Sequence, residues 1–183
     1  MITDPPWPKC EHVDIAGSKN AQALFNEAIS IVKAKRIAVQ IGTKCDPRFL
    51  NAIKLPFFRT CKMDFTIPSR RGRILYTHED AYLYGIVPKS KPHQHLIMGG
   101  CRASPSFIDF KNSNHPCARR LEHMMFLIKW WSEDADIIID PFMGSGTTIR
   151  AAKEFRRKAI GIEIEERHCE TAAQRMSQEV LSI

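Results

Sequence analysis

Residues 140–148 carry the pattern in this sequence with the clearest chemical meaning. A buried strand is predicted to end at Asp140, and Gly144-Ser145-Gly146 follows a few residues later. Glycines in a turn after a strand let the backbone approach a ligand that a side chain would block. The helix predicted to begin at Thr147 offers free N–H groups at its start. This order of strand, turn and helix is typical of a nucleotide-binding turn.

An acidic residue stands at the place where such a fold binds ribose. Glu163 lies 23 residues after Asp140, at the end of the next predicted strand. A carboxylate there accepts hydrogen bonds from ribose hydroxyls in nucleotide-binding folds. A plain structural turn with a surface acid would explain the glycines alone. Because strand, turn, helix and acid occur in register, we interpret residues 140–163 as a nucleotide-binding unit.

A second group of chemical interest is Asp4-Pro5-Pro6-Trp7. The two prolines fix φ and have no N–H, so they hold the chain extended with its carbonyls pointing outward. Asp4 and these carbonyls form a cluster of acceptors that suits an NH2 group with two donors. Trp7 offers a flat face for a base taken out of its stack. A proline-rich segment with a core tryptophan explains this tetrapeptide equally well.

The elements that must position these residues alternate between helix and strand. The apolar spacing predicts helices at 20–36, 118–131, 147–157 and 166–180, with a short one at 48–53. Strands are predicted at 37–42, 57–65, 73–76, 136–139 and 159–164. This alternation predicts an α/β fold. A chain of 183 residues fits one domain with a sizeable core.

The basic residues favour an anionic partner. The formal net charge is +7, which suits nucleic acid but does not identify it. Arg70 and Arg71 lie in a predicted turn at 68–72, and Lys89 and Lys91 lie in a predicted irregular insertion at about 86–112. These four side chains are candidates for phosphate contacts, although a solvated hairpin turn is as good an explanation of the first pair. The polar segment 77–80 is given no role.

Other chemistries find less support in the sequence. The six cysteines contain no Cys-x-x-Cys pair, so we expect a reducing cytosol and no disulfide framework. Cys10-x-His12 and His93-x-His95 do not complete a four-ligand zinc pattern, and no metal site is predicted. The longest apolar runs have the length of a strand, so we expect no membrane span and no signal peptide.

Together the two motifs resemble those of a known family. Asp4-Pro5-Pro6-Trp7 looks like the catalytic motif of amino-methyltransferases, written Asp/Asn/Ser-Pro-Pro-aromatic. Residues 140–148 closely resemble the cofactor motif of β-class DNA methyltransferases, the site-specific adenine-N6 and cytosine-N4 enzymes. His115-Pro116, followed by Arg119 and an apolar helix, is similar to the segment before that motif. The catalytic motif comes first, as in the β-class permutation, and the resemblance covers most of the chain apart from roughly residues 86–112.

The resemblance implies a fold and a set of ligand-binding residues. The fold would be Rossmann-like: a mixed, mostly parallel sheet with helices on both faces, in one methyltransferase domain over residues 1–183. Asp4, Pro5, Pro6 and Trp7 would hold the target base. Glu163 would bind the ribose of S-adenosylmethionine, and Arg119 would lie near its carboxylate. The other cofactor-binding residues implied are His115, Asp140, Phe142, Gly144, Ser145, Gly146 and Thr147.

The resemblance also implies a reaction, namely methyl transfer from S-adenosylmethionine to an exocyclic amino nitrogen of a DNA base. Such enzymes act in restriction-modification, so a cytoplasmic protein of a prokaryote or phage is expected. Aspartate at the head of the motif favours N6 of adenine, where serine would favour N4 of cytosine. Cytosine N4 and adenine in RNA remain alternatives. So does an inactive nucleic-acid-binding subunit on the same fold.

Three features depart from the family pattern. The family usually has a strand and an acidic loop before the catalytic motif, and these help to enclose the adenine of the cofactor; this sequence begins almost at the motif. Arg119-Arg120 stands where Lys-Pro is usual. The insertion at 86–112 is shorter than the segment that normally reads DNA. We therefore expect weak sequence specificity, or specificity supplied by a partner or by a second subunit of a homodimer.

Overall fold

The computed structural model describes residues 1–8, 15–89, 99–103 and 119–177, without the side chains of Ser69 and Arg71. These ranges contain the strands β1 (Ile2–Thr3), β2 (Arg36–Ile41), β3 (Phe57–Arg71), β4 (Ile74–Gly85), β5 (Gly100–Ala103), β6 (Ile138–Asp140) and β7 (Ala159–Gly161). They also contain the helices α1 (Ala21–Ile31), α2 (Leu121–Trp131), α3 (Thr147–Glu154) and α4 (Glu166–Ser177). Short 3₁₀ helices occupy Ser18–Asn20 and Pro47–Ala52.

The strands form two sheets that meet beside the predicted catalytic motif. Five strands make a mixed sheet in the order β1-β2-β4-β3-β5, and β6 and β7 form a parallel pair. In the larger sheet β1 is parallel to β2, β4 is antiparallel to both of its neighbours, and β5 is parallel to β3. The hydroxyl of Thr3 in β1 donates a 2.6 Å hydrogen bond to the carboxylate of Asp140 in β6. This architecture confirms the predicted α/β class.

Helices cover both faces of the larger sheet. Successive side chains of a strand point to opposite faces, and every residue of β2 is buried. Ala38 lies in the core that contains Met124 of α2, whereas Val39 lies in the core that contains Phe25 of α1. A strand buried on both sides explains why residues 37–41 are almost continuously apolar in the sequence.

The β3–β4 hairpin is much longer than the sequence predicted. Strands were expected at 57–65 and 73–76, with a turn over 68–72. Instead β3 continues to Arg71, and only Gly72 and the residue after it make the turn, with Gly72 at φ +60°. The register of β3 against β4 shifts between Asp64 and Ser69. Pro68 lies inside this irregularity, where a residue without an N–H is tolerated.

The tip of this hairpin projects from the end of the sheet that carries Asp4. β2 pairs with β4 from Arg36, opposite Gly85, to Ile41, opposite Asp80. Residues 74–79 of β4 therefore extend beyond the carboxyl end of β2. Because β1 runs parallel to β2, the chain leaves β1 for Asp4 at this same end.

Part of the predicted insertion is regular. Gly100–Ala103 forms β5, a four-residue edge strand that pairs with β3 opposite residues 62–65. The prediction that residues 86–112 are entirely irregular is wrong at these positions, because so short a strand leaves no readable alternation. Residues 90–98 and 104–118 lie outside the described part of the chain. Within the described part, no helix is long and apolar enough to cross a membrane.

Candidate active site

Asp4 is held by a guanidinium that lies far away in the sequence. Arg119 lies just before α2, and its Nη2 donates a 2.6 Å hydrogen bond to Oδ1 of Asp4 while its Nε donates to Oδ2. Both side chains are mostly buried, with 13% of Arg119 and 16% of Asp4 exposed. A bidentate pair of this kind fixes the plane of a carboxylate as well as its position. The orientation of Asp4 is therefore set by Arg119.

The same guanidinium also contacts a second carboxylate. Nη1 of Arg119 donates to Oε2 of Glu79 in β4, and this oxygen also accepts a 2.8 Å hydrogen bond from Nε2 of Gln40 in β2. Gln40 is paired with Ala81, so Glu79, two residues before Ala81, projects from the same face of the sheet. We call these four side chains, Gln40, Glu79, Arg119 and Asp4, the carboxylate clamp.

Burial and neighbouring charges act in opposite directions on the clamp. Burial raises the pKa of Asp4 to about 7, with Glu79 and Asp140 adding to this and Arg119 opposing it. Burial also acts to lower the pKa of Arg119, but Asp4 and Glu79 raise it overall. The guanidinium is therefore charged at all physiological pH values. The ionisation of Asp4 near neutral pH depends on the presence of Arg119.

Trp7 is fixed beside Asp4 by two contacts. A Cβ atom placed on Gly42, the residue after β2, would lie only 2.8 Å from Cζ2 of the Trp7 ring. The guanidinium of Arg119 lies 5.0 Å from the centroid of the ring, within the range of a cation–π interaction. Glycine at position 42 thus makes room for the indole, and Arg119 contacts both the acidic and the aromatic residue of the predicted catalytic motif.

The predicted cofactor turn is tied to the predicted ribose acid. Oε2 of Glu163 accepts a 2.9 Å hydrogen bond from the N–H of Gly144, and Oε1 accepts one of 2.9 Å from the N–H of Glu165. Gly144 has φ +50°, in the left-handed region that favours glycine. The buried carboxylate of Asp140 accepts from the N–H of Phe142 at 3.1 Å as well as from Thr3. Burial raises the pKa of Asp140, against these hydrogen bonds.

Both motifs face one cavity of about 390 Å³. This volume lies within the range of small-molecule sites, roughly 300–1,000 Å³. The predicted site residues that line it are Asp4, Pro5, Pro6, Trp7, Arg119, Asp140, Phe142, Gly144, Ser145, Thr147 and Glu163. Residues from the two ends of the chain are thus brought together at one site.

Other predicted residues lie elsewhere. Gly146 is in the turn before α3, where it lies against Ala172 of α4. Arg70 is exposed near the tip of the hairpin, at the end of the sheet that carries the cavity. Lys89 follows the opposite end of β4, and its N–H donates a 3.1 Å hydrogen bond to Glu133. The structure therefore places Arg70 and Lys89, both candidates for phosphate contacts, at opposite ends of the sheet.

Some predictions fall outside the described part of the chain. These are His115 and Lys91, the side chain of Arg71, and the residue pairs Cys10/His12 and His93/His95. Their roles stay predictions.

Several residues of the site were not predicted from the sequence. Ile15, Gly17, Leu24, Met143, Thr148, Ile162, Ile164 and His168 also line the cavity. Glu79 and Gln40 contact the catalytic side of the site through Arg119. The signal that would have found Gln40 is a lone amide in the buried apolar strand 37–41, since buried polar side chains need a partner.

Comparison with known proteins identifies the family. The N6_N4_Mtase model, described as DNA methylase, matches residues 62–174. The chain belongs to the N6/N4 DNA methylase family. Over 97% of its length it is 28% identical to the putative methylase YubD of Escherichia coli K12, and the match covers 81% of that protein.

Solved structures of methyltransferases share the fold. The M1.HpyAVI complex with S-adenosylmethionine superposes with a TM-score of 0.73 at 24% identity, covering 97% of this chain and 87% of that one. The PvuII cytosine-N4-specific DNA methyltransferase gives 0.69 at 18% identity, covering 99% and 80%. These likenesses confirm the predicted Rossmann-like fold. Family membership makes the chain an S-adenosylmethionine-dependent DNA amino-methyltransferase, which confirms the predicted cofactor.

Proposed function

We propose that the chain transfers a methyl group from S-adenosylmethionine to N6 of adenine in DNA, with residues 1–183 acting as one catalytic domain. The observation that supports this proposal is the shared cavity. Asp4 and Trp7 of one motif and Gly144 and Glu163 of the other line the same space. A methyl donor bound at the second motif would therefore lie next to an amino group bound at the first.

The residues of the cofactor turn fit S-adenosylmethionine. A carboxylate has about four lone-pair positions, and the N–H groups of Gly144 and Glu165 use one on each oxygen of Glu163. We propose that the remaining positions accept the two ribose hydroxyls. The carboxylates of Asp4, Asp140 and Glu163 outnumber Arg119 around the cavity, and an acidic environment suits a ligand with a sulfonium and an ammonium group.

Asp4 would activate the amino group of the base. Arg119 uses one lone-pair position on each oxygen of Asp4, so the carboxylate can still accept a hydrogen bond from an NH2 group. The carbonyl of Pro5 would accept the second N–H, and Trp7 would stack on the base. The amino lone pair of adenine is delocalised into the ring. Two acceptors placed off the ring plane would draw the nitrogen towards a tetrahedral shape and localise that lone pair.

S-adenosylmethionine supplies an electrophilic methyl group on a sulfonium. The amino nitrogen held by Asp4 would form the new N–C bond as the C–S bond breaks, and its extra proton would then leave to solvent. The positive charge would pass from sulfur to nitrogen and would be lost with that proton. The site therefore needs alignment of the two reactants more than charge stabilisation, and the fixed orientations of Asp4 and Trp7 would provide it.

Two features support adenine and DNA as the substrate. The motif begins with aspartate, and in the family pattern that this motif resembles, aspartate favours N6 of adenine whereas serine favours N4 of cytosine. Arg70 and Arg73 are exposed near the tip of the β3–β4 hairpin, at the same end of the sheet as the cavity. We propose that this tip contacts the phosphates on either side of the flipped base. Base-specific contacts would then come from a partner or a second copy of the chain.

One experiment tests the proposed reaction. The protein is incubated with S-adenosylmethionine carrying a labelled methyl group and with duplex DNA, single-stranded DNA or RNA, and the labelled nucleoside is identified. We expect N6-methyladenine from DNA. Labelled N4-methylcytosine, or label only in RNA, would replace the proposed substrate. Absence of label from every nucleic acid, with the cofactor bound, would indicate an inactive subunit.

The role of Asp4 has its own control. Asp4→Ala is expected to abolish transfer while the dissociation constant for S-adenosylmethionine changes little, because the cofactor is bound mainly by the other motif. Glu154→Ala, at an exposed acid at the end of α3 that does not line the cavity, is the surface control. Normal turnover by Asp4→Ala would show that another group accepts the amino hydrogens.

A further inference from the structure

Glu79 belongs to neither motif, yet it contacts the catalytic side of the site. Its Oε2 accepts a hydrogen bond from Nη1 of Arg119, and the other two nitrogens of that guanidinium, Nε and Nη2, donate to Asp4. Only 16% of the Glu79 side chain is exposed. A mostly buried carboxylate is costly unless it is paired, so its position next to Arg119 calls for a reason.

Charge balance does not provide that reason. Arg119 and Asp4 already form a neutral pair, and Glu79 adds a second negative charge beside it. This extra charge opposes the ionisation of Asp4, although the ionised carboxylate is the stronger acceptor for an amino group. A residue whose only role was to keep Asp4 ionised would therefore not be acidic.

Geometry provides a better reason. A guanidinium is planar and presents its N–H groups in a rigid fork. With only Asp4 as a partner, the fork could still rotate together with the carboxylate as a unit. A third hydrogen bond, from Nη1 to an oxygen on a neighbouring strand, removes that rotation. The orientation of the Asp4 carboxylate is then fixed relative to the paired strands β2 and β4.

Gln40 shows that Glu79 is itself held in place. The Gln40 side chain is fully buried between the apolar residues Val39 and Ile41 of β2, and its Nε2 donates to the same Oε2 of Glu79 at 2.8 Å. Its carbonyl oxygen has no hydrogen-bond partner among the described residues. A buried amide with one satisfied group is unfavourable for stability alone, which points to a role in holding Glu79.

We propose that Glu79, held by Gln40, is a positioning residue that anchors Arg119 so that Arg119 aims the Asp4 carboxylate into the cavity. This inference rests on the role of Asp4 in the proposed function. It assigns to Glu79 an effect on the rate of transfer and none on cofactor binding. The hydrogen-bond acceptor, and not the charge, is the property of Glu79 that matters.

Two substitutions separate the acceptor from the charge. Glu79→Gln removes the charge and retains an acceptor oxygen of the same shape, whereas Glu79→Leu removes both. We expect Glu79→Leu to lower kcat by about 10- to 100-fold, the effect of a small misplacement of a reacting group, with the dissociation constant for S-adenosylmethionine changed by less than about twofold. Glu79→Gln is expected to retain kcat within about threefold.

Asp80 offers matched controls on the same strand. It is paired with Ile41 and projects from the opposite face of the sheet. Asp80→Leu and Asp80→Asn repeat both chemical changes one residue away and are expected to leave kcat unchanged. A wild-type kcat in Glu79→Leu, or an equal loss in Glu79→Gln and Glu79→Leu, would overturn the proposal.

The test remains decisive if Glu79→Leu fails to fold. Arg119→Lys keeps the positive charge but replaces the fork by a single ammonium, which cannot hold both carboxylates in one plane. It should show the same loss of kcat, and a wild-type kcat there would overturn the proposal. If Asp4→Ala abolishes transfer while all three clamp variants turn over normally, only this inference fails. If the wild type methylates nothing, the proposed function fails and this inference fails with it.

Discussion

Substitution of Gly144 by valine tests whether the turn after β6 binds the cofactor. Gly144 lines the cavity at φ +50°, and its N–H donates to the carboxylate of Glu163 at 2.9 Å. A β-branched residue is a genuine outlier at positive φ. The substituted backbone must either remain strained or rotate out of the left-handed region. Rotation would turn the N–H away from Glu163 and place an isopropyl group at the wall of the cavity.

The expected loss follows from these contacts. The left-handed conformation of a residue with a Cβ costs about 1–2 kcal/mol, which lowers the stability of the folded protein. Loss of a hydrogen bond to a charged group costs about 1.5–3 kcal/mol, and this bond fixes the carboxylate proposed to bind the ribose. If that loss is expressed in binding, the dissociation constant for S-adenosylmethionine rises roughly 10- to 100-fold, since each 1.4 kcal/mol is about a factor of ten.

The hairpin provides a matched control. Gly72 has φ +60°, and a Cβ placed there would meet nothing within 4 Å. Gly72→Val therefore introduces the same backbone strain away from the cavity. Calorimetric titration with S-adenosylmethionine, together with thermal unfolding, should show a lower Tm for both variants but weaker binding for Gly144→Val alone. Equal affinity of Gly144→Val and the wild type would show that the turn is only structural, and equal weakening in both variants would trace the effect to general destabilisation.

Two further predictions concern pH and salt. Because burial raises the pKa of Asp4 to about 7 and the ionised form is the stronger acceptor for an amino group, kcat/KM for DNA should fall as the pH drops through about 7. Glu79→Gln removes a neighbouring negative charge and should therefore shift this fall in kcat/KM to lower pH. If the fall does not shift, the group that titrates is not Asp4. Neutralising Arg70 and Arg73 together should lower the slope of log affinity against log salt by roughly 0.9 for each lost phosphate contact. The control Lys89→Gln, at the other end of the sheet, should not change the slope, and an effect of Lys89→Gln alone would place the DNA surface there.

Local sequence patterns are enough to predict the two motifs and the type of fold. The turn at 144–146 and the extended segment at 4–7 depend on glycine and proline, whose backbone preferences act within a few residues. The alternation of buried strands and amphipathic helices is equally local. The family model and the solved structures confirm the fold that these local patterns predicted.

Tertiary structure decided which residues work together. The guanidinium of Arg119 contacts Asp4, which lies 115 residues away in the sequence, and Glu79 in β4. The length of the β3–β4 hairpin separates Arg70 from Lys89 by placing them at opposite ends of the sheet. Both results depend on strand order and register, which are set by packing between distant segments. A local pattern records which face of a strand is buried, but it contains no information about which strand, or which charge, will lie beside it.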